Sequence, residues 1–336
     1  MHITCHLRPI ELCVITLRVI LVLVCGLLFL APGIWSSGGY ATAASVPPSP
    51  VQFAQTIHTD ALGRQVQLND APQRVVSLVP SVTETIYALG AQELLVGVTD
   101  FCNYPPQAQD KQSVGAYNSP SIEAIAMLRP DLVIIAADMA TPALLQTLLE
   151  LKIPVYSVYP RSLKATIEMQ RDLGAVLGCT AAGATLASQL EQAIAQLNQE
   201  VERAGAEAAP RVLLTIMLEP LVIAGTDTLP GEMLACAGGI NVATPGSRYP
   251  MWNMESVLAF DPDIIIASPH PGTSSPRDFF LRFKQLRAVQ QGNVVEIPAD
   301  WLQRPGPRII KGLEALRQVI TDAVTHTPEK INATQR

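Results

Sequence analysis

Two carboxylates occupy matching positions in a sequence pattern that occurs twice. The segment EAIAMLRPDLVI begins at Glu123, and its echo ESVLAFDPDIII begins at Glu255. Tyr117 and Tyr249 stand six positions before these glutamates. Although a helix followed by Pro-Asp and a strand is a common α/β connection, the recurring tyrosine favours a true duplication. The pattern therefore predicts two similar lobes with something bound between them, each lobe carrying an equivalent negative charge.

Catalytic and metal-binding patterns are missing from the sequence. It has no GxGxxG after the first strand, no Walker A motif and no GxSxG. A zinc or manganese site would need clustered histidines and carboxylates. The histidines here are scattered: His2, His6, His58, His270 and His326. We expect a binding protein without catalytic residues, resident cofactor or metal site, rather than an enzyme on a Rossmann-like scaffold.

The composition indicates a folded protein and disfavours some classes of binding partner. The 336-residue chain is 49% hydrophobic and 15% charged, with a net charge of −6. Disorder is disfavoured by this hydrophobicity, and a nucleic-acid partner by the absence of a basic run. The length is enough for two domains.

One apolar stretch marks the N-terminus. Arg8 and Arg18 precede the apolar run 19–31, and the small-residue triplet 41–43 (ATA) follows it. A run of about 13 residues matches a signal-peptide core and is short for a bilayer span of about 20. We predict a signal peptide over residues 1–43, with a retained membrane anchor as the alternative.

Cysteine usage is compatible with export. Half of the six cysteines lie in the predicted signal peptide, and the remainder are Cys102, Cys179 and Cys236. An odd number allows at most one bridge, and the spacing favours no pairing. Structural thiols are the simplest interpretation.

Alternating apolar strands and helices follow the tether and small hairpin predicted over residues 44–71. In the N-terminal lobe, 72–160, strands are predicted at 74–79, 95–99, 132–136 and 155–158, and helices at 82–89 and 142–151. Ser81 and Glu84 match a capping box at the start of the first helix. Short apolar strands alternating with helices indicate a parallel sheet covered on both faces.

A helical linker, 161–209, separates this lobe from a second one at 210–325, which a tail at 326–336 follows. Within the linker, 162–177 is helical, and 181–204 is a long amphipathic helix of about 36 Å. Its apolar stripe is Leu186, Leu190, Ile194, Leu197 and Val201. The second lobe is predicted to have strands at 211–216, 264–267 and 294–297, and helices at 233–237 and 308–325. The fold class is thus α/β, with two Rossmann-like lobes containing parallel sheets joined by a single long α-helix.

Four segments resemble one known family. They are residues 74–84 (RVVSLVPSVTE), 97–107 (GVTDFCNYPPQ), 130–131 (PD) and 300–308 (DWLQRPGPR). The chain is similar to the substrate-binding proteins of ATP-driven importers whose two α/β lobes are joined by a rigid helix. The resemblance covers residues 71–324 and is greatest to the cobalamin binders, although siderophore and haem binders share the scaffold.

The resemblance also implies a ligand site. A corrinoid is large and mostly flat, with amide and methyl groups at its rim, so it suits aromatic planes and a few polar groups. The expected ligand-binding residues are Ser81, Val82, Phe101, Tyr117, Tyr249, Asp300, Trp301 and Arg304. Asp300 and Arg304 could instead form an ordinary i,i+4 surface pair, and the tyrosines could be packing residues. Trp252 is equally suited to either role. The chain departs from the cobalamin binders at residues 136–138 (AAD), where they have a tryptophan.

Glu123 and Glu255 have two interpretations. A carboxylate in the first turn of a helix interacts favourably with the helix dipole. The resemblance implies a further role, in which one glutamate of each lobe docks onto arginines of a membrane permease.

These expectations describe an exported, monomeric, periplasmic protein that captures a corrinoid and delivers it to an ABC permease, with membrane anchoring through the N-terminal segment left open. A ferric siderophore or haem is the alternative ligand. A ligand-sensing module of a receptor is the alternative class.

Overall fold

The structure, a computed structural model, describes residues 55–205, 209–243, 246–269 and 275–325. The predicted signal peptide 1–43 and the tail 326–336 lie outside these residues, as does His270. Within the described ranges, no helix is both long enough and apolar enough to cross a membrane.

A β-hairpin opens the described chain, as predicted. Strands β1 (Thr56–Thr59) and β2 (Gln65–Leu68) pair antiparallel. The buried Asp60 carboxylate closes the turn by accepting hydrogen bonds from the backbone N–H groups of Leu62 and Arg64 and from the Arg64 side chain. Arg64 also donates to the backbone oxygen of Val155 and to Ser157 Oγ, which fastens the hairpin to the lobe behind it.

Asp60 should make the stability of the fold sensitive to acid. Burial alone would raise the pKa of Asp60, but the hydrogen bonds from Arg64 outweigh it and hold that pKa below its ordinary value. The stabilisation is therefore present at neutral pH and lost as the pH falls below about 4 and through the folded-state pKa. Asp60→Asn should lower the free energy of unfolding by about 2 kcal/mol at pH 7 and by much less near pH 3. Urea titrations at both pH values test this, with the exposed Asp70→Asn as control; an equal loss at both pH values would contradict it.

The N-terminal lobe is built on a parallel sheet. Its strands are β3 (Val75–Ser77), β4 (Leu95–Val98), β5 (Gln112–Ser113), β6 (Gly115–Ala116), β7 (Ser119–Pro120), β8 (Leu132–Ala136) and β9 (Val155–Val158). β6 and β7 pair with each other, and the others form the sheet in the order β5-β4-β3-β8-β9. Every residue of β3, β8 and β9 is buried, as expected for strands covered on both faces.

Three helices of this lobe are α1 (Pro80–Ala88), α2 (Ile122–Met127) and α3 (Pro142–Glu150). The predicted capping box at Ser81 and Glu84 is wrong, because α1 already begins at Pro80. Proline suits the first helical position, since its fixed φ is helical and its missing N–H would be unpaired there. Ser81 and Glu84 are consequently buried residues within α1 rather than a cap and its partner.

Two helices form the linker, and both pack against both lobes. They are α4 (Leu163–Val176) and α5 (Thr180–Ala204). A Cβ atom on Gly174 would lie 2.7 Å from the Cα of Gly183, so glycine is what permits the close crossing of α4 and α5. On α5, Leu186 joins the hydrophobic core of the N-terminal lobe, whereas Leu190 and Leu197 join that of the C-terminal lobe. The predicted apolar stripe thus faces both cores.

The C-terminal lobe is also built on a mostly parallel sheet. Its strands are β10 (Arg211–Met217), β11 (Val222–Ile223), β12 (Ile240–Asn241), β13 (Ile264–Ala267) and β14 (Val294–Glu296). Their order is β11-β10-β13-β14, with β12 also beside β10, and only β11 pairs antiparallel among them.

Helices of the second lobe are α6 (Leu229–Cys236), α7 (Met254–Phe260), α8 (Pro276–Phe280), α9 (Arg287–Gln290), α10 (Ala299–Gln303) and α11 (Ile309–Thr325). α6 starts four residues before the predicted position, because the Thr228 side chain caps it by accepting from the N–H of Gly231. The short helices α8, α9 and α10 were not predicted.

The two repeated segments have matching backbone geometry. Asp131 accepts a hydrogen bond from the backbone N–H of Arg74, and Asp263 does the same for Arg211. The residues before the two Pro-Asp pairs, Arg129 and Asp261, have left-handed φ values of 45° and 43°. This conformation is uncommon for residues other than glycine, and a following proline normally favours extended backbone. Its recurrence shows that each Pro-Asp pair anchors the first strand of its own lobe.

Candidate functional site

Buried charges connect the two lobes. Glu84 of α1 is 3% exposed and accepts hydrogen bonds from Arg308 Nε to Oε2 at 2.8 Å and from Arg304 Nη1 to Oε1 at 3.2 Å. Asp300 lies beside them, with Oδ1 2.9 Å from Arg304 Nε and Oδ2 3.1 Å from Arg308 Nη2. We name these four residues the inter-lobe charge cluster. Its two acids and two bases balance, so the lobes meet through a neutral set of paired charges.

Arg308 remains a cation within this cluster. Burial alone would lower the pKa of Arg308, but its hydrogen bonds to Glu84 and Asp300 outweigh burial and raise that pKa above the ordinary value. Both Glu84 oxygens are also engaged. The inter-lobe charge cluster can therefore act as a fixed electrostatic contact between the lobes.

A loop of the N-terminal lobe, residues 101–104, contacts the same two arginines. Arg304 donates from Nη1 to Asn103 Oδ1 at 2.8 Å and from Nη2 to the Phe101 backbone oxygen at 3.4 Å. The Arg308 guanidinium lies 4.3 Å from the centre of the Tyr104 ring, in cation–π geometry. This loop follows β4, and Arg304 and Arg308 follow β14, so both sides of the contact come after the carboxyl ends of parallel strands. Open α/β sheets place their ligand sites at such ends.

Several predicted ligand residues meet at this contact. Phe101, Asp300 and Arg304 take part in it directly, and a Cβ atom on Gly306 would lie 3.2 Å from the backbone oxygen of Ser81. Val82 is fully buried, so neither its side chain nor its backbone is open to a ligand in this structure. Glu84, Asn103, Tyr104 and Arg308 are additional members that the sequence-based prediction did not include. The sequence did offer one signal for this cluster: Glu84 stands in a segment predicted to be buried. A buried carboxylate requires a partner, so a cation could have been expected beside it.

The other aromatic candidates, Tyr117, Tyr249 and Trp301, have different surroundings. Tyr117 lines a pocket of about 330 Å³ in the N-terminal lobe together with Asp138. Burial, followed by the nearby Asp138 carboxylate, raises the pKa of Tyr117 to about 12. Tyr249 is 46% exposed. Trp301 packs partly against the C-terminal core, with Lys311 Nζ 5.9 Å from its ring centre. The two repeated tyrosines therefore occupy unlike environments.

Trp252 is a packing residue in this structure. Its ring stacks on Phe260 with the centroids 4.7 Å apart, and it borders a core cluster of the C-terminal lobe. These contacts support a packing role for Trp252 rather than a ligand-binding one.

Cys102 follows Phe101 in the same loop, and it is buried. Thr83 Oγ1 donates to the buried Cys102 sulfur at 3.1 Å. Cys102, Cys179 and Cys236 are all free thiols.

The described residues contain no group of three or more His, Cys, Asp or Glu side chains that could hold a metal ion.

Glu123 and Glu255 occupy equivalent positions on equivalent helices. Each is an exposed residue in the first turn, on α2 and α7 respectively. The N-caps are supplied by other side chains: Ser121 accepts from the N–H of Ala124, and Asn253 accepts from that of Ser256. The glutamates are therefore not needed as caps, and they present one carboxylate per lobe to solvent.

Comparison with known proteins agrees with this architecture. The sequence pattern described as periplasmic binding protein matches residues 75–301. The chain belongs to the periplasmic binding protein family. The vitamin B12-binding protein of Vibrio cholerae serotype O1 is 29% identical over 250 residues, which cover 74% of this chain and 88% of that protein.

Solved structures of this periplasmic binding protein family share the two-lobe α/β fold. The periplasmic vitamin B12 binding protein BtuF of Vibrio cholerae is 28% identical with a TM-score of 0.65, covering 75% of this chain and 98% of that chain. The periplasmic heme-binding protein RhuT of Roseiflexus sp. RS-1, in its apo form, is also 28% identical, with a TM-score of 0.67 and the same coverage. Similarity of fold therefore does not distinguish the two ligands.

Proposed function

We propose that this protein is the exported substrate-binding component of an ABC importer and that it captures a corrinoid in the cleft between its lobes. The observation that carries the proposal is the meeting of loops from both lobes around the inter-lobe charge cluster. Those loops follow the carboxyl ends of both sheets, where ligands of open α/β folds bind. The predicted signal peptide 1–43, or an anchor formed by it, would place the protein outside the cytoplasmic membrane. The family comprises binding proteins, and we assign no catalytic step.

A corrinoid is favoured over haem by one observation. The relative with 29% identity is named for vitamin B12. Haem remains the second candidate, because RhuT is as similar in fold as BtuF.

Calorimetric titration of the purified protein tests the ligand class. Cyanocobalamin, haem and a ferric siderophore should be titrated in parallel. Tight one-to-one binding of cyanocobalamin alone is expected. Binding of haem or the siderophore without cyanocobalamin would refute the corrinoid proposal and retain the importer role.

Phe101 offers a direct test of the cleft. It is 55% exposed, so its truncation removes little packing within the protein. If its ring lies against the ligand, Phe101→Ala should weaken cyanocobalamin binding about tenfold or more and leave the melting temperature nearly unchanged. Leu149→Ala is the matched control, since Leu149 is 57% exposed but lies on α3. Equal affinities for Phe101→Ala and the parent protein would remove Phe101 from the site.

A further inference from the structure

Cys102 lies in the 101–104 loop that contacts the inter-lobe charge cluster. Its side chain is buried, whereas the ring of the neighbouring Phe101 is exposed. A thiol buried in this way does not face a ligand in the cleft. It is nevertheless a polar group, and buried polar groups are normally hydrogen-bonded. The role of Cys102 therefore depends on what its sulfur contacts inside the lobe.

The Cys102 sulfur joins the loop to two elements of the N-terminal lobe. Thr83 Oγ1, on α1, lies 3.1 Å from Cys102 Sγ, and Thr99 Oγ1, directly after β4, lies 3.3 Å from it. Thr83 Oγ1 is also 2.9 Å from Ser77 Oγ, and all four residues are buried. Thiols form weak hydrogen bonds, but leaving a buried hydroxyl group without one is costly. The thiol therefore holds the middle of the loop against α1 and the end of β4.

The same loop is also held from the other lobe. Glu84, which follows Thr83 on α1, accepts a hydrogen bond from Arg304, and Arg304 donates to the Phe101 backbone oxygen. Because Arg304 belongs to the C-terminal lobe, its contact with the loop is lost whenever the lobes separate. The contact between Thr83 and Cys102 lies within the N-terminal lobe and does not depend on the other lobe. Of these two attachments, the thiol is the one that persists in an open cleft.

We propose that Cys102 is a positioning residue for ligand binding, because its thiol holds the 101–104 loop so that the Phe101 ring stays presented to the ligand. The inference rests on the proposed function, in which Phe101 is a ligand contact. A loop that is ordered before the ligand arrives loses less conformational entropy on binding. Cys102 makes no contact with the ligand itself, and its effect on affinity passes through Phe101.

Thr83→Val tests the hydrogen bond to the thiol, because it removes the hydroxyl group and keeps the shape of the side chain. Cyanocobalamin binding to the purified protein should weaken about threefold or more, since the loop must then be ordered on binding. Thr83→Ser keeps the hydroxyl group and should retain the affinity of the parent protein. An unchanged dissociation constant for Thr83→Val, or an equal loss for Thr83→Ser, would overturn the proposal.

A double variant tests whether the effect passes through Phe101. In the Phe101→Ala background, Thr83→Val should cause no further loss of cyanocobalamin affinity, because the ring that the loop presents is gone. A residue that only stabilises the fold would not show this dependence. The same fold loss from Thr83→Val with and without the Phe101 ring would overturn the positioning role.

Thr166→Val is the matched control for stability. Thr166 is also a fully buried threonine on a helix, but its hydroxyl group donates within the linker to the backbone oxygen of Ser162 at 2.9 Å. Its replacement should lower the melting temperature, as Thr83→Val does, and leave cyanocobalamin affinity unchanged. An equal loss of affinity in Thr166→Val would show that reduced stability alone weakens binding, and the proposal would fail.

Hydrogen exchange in the ligand-free protein tests the loop without the ligand. The backbone N–H of Cys102 donates to the Thr99 oxygen, and that of Asn103 donates to the Phe101 oxygen, both at 3.0 Å. These two amides should exchange about fivefold faster or more in Thr83→Val than in Thr166→Val or the parent protein, because local opening requires less free energy. Unchanged exchange would overturn the role of the thiol. Absence of cyanocobalamin binding to the parent protein would overturn the corrinoid assignment, and the exchange rates would still decide whether the thiol holds the loop.

Discussion

Replacing Glu84 with glutamine is expected to lower the free energy of unfolding by about 3 kcal/mol and to broaden the distribution of distances between the lobes. Glu84 is 3% exposed, and its carboxylate pairs with both Arg304 and Arg308. Without that charge, Asp300 alone faces two guanidinium groups, and the contact keeps a net positive charge. Urea denaturation measures the stability loss. Double electron–electron resonance between one spin label on each lobe measures the change in lobe separation.

Two comparisons make this prediction specific. Glu93→Gln removes an exposed carboxylate of the same lobe and should change stability by no more than about 0.5 kcal/mol. In a double-mutant cycle, the losses from Glu84→Gln and Arg308→Gln should not add, because each variant breaks the same contact. Additive losses would show that the two residues do not share one contact. If Glu84→Gln changed neither the free energy of unfolding nor the width of the inter-lobe distance distribution, the inter-lobe charge cluster would not fix the lobes.

The inter-lobe charge cluster also explains why the cleft should be preorganised. Arg304 is shared among Glu84, Asp300 and the 101–104 loop, so it is held before any ligand arrives. α5 contributes side chains to both hydrophobic cores, which also restrains motion between the lobes. A site that is already ordered loses less conformational entropy on binding. Small hinge movements, rather than wide opening, are expected of such a protein.

Local sequence signals predicted the regular elements well. The strands Val155–Val158 and Ile264–Ala267 have the predicted bounds, because each is a short, mostly apolar run that is buried in its sheet. α5 ends within a residue of its predicted bounds, since its apolar stripe persists over many turns. The repeated Pro-Asp pairs also mark structurally equivalent anchors. These features depend on neighbours within a few positions along the chain.

Features that depend on distant residues escaped prediction. Glu84 matched a local capping pattern, but its partner Arg308 lies 224 positions away. The local pattern was misleading because Pro80 can start the helix by itself. The α8 and α10 helices span only five residues each, too few for a periodic signal.

Reversing the charges of Glu123 and Glu255 together is expected to abolish ligand uptake while leaving ligand affinity intact. Both side chains are exposed, and Ser121 and Asn253 cap their helices, so neither change should disturb the fold. If these carboxylates meet arginines of the permease, Glu123→Arg/Glu255→Arg replaces attraction with repulsion in both lobes. Like-charge contacts at an interface cost several kcal/mol, enough to reduce docking more than a hundredfold. Transport in cells and calorimetry on the purified protein give the two required measurements.

Glu150→Arg/Glu314→Arg supplies the control for net charge. Glu150 on α3 and Glu314 on α11 are also exposed glutamates, one in each lobe, so this variant changes the total charge equally. Its transport should remain near that of the parent, because a change of net charge alone acts weakly through salt-screened distances. Each single reversal at Glu123 or Glu255 should give an intermediate loss, since a two-fold symmetric permease would retain one favourable contact. Equal loss in the control variant, or weakened ligand binding after reversal of Glu123 and Glu255, would contradict a docking role.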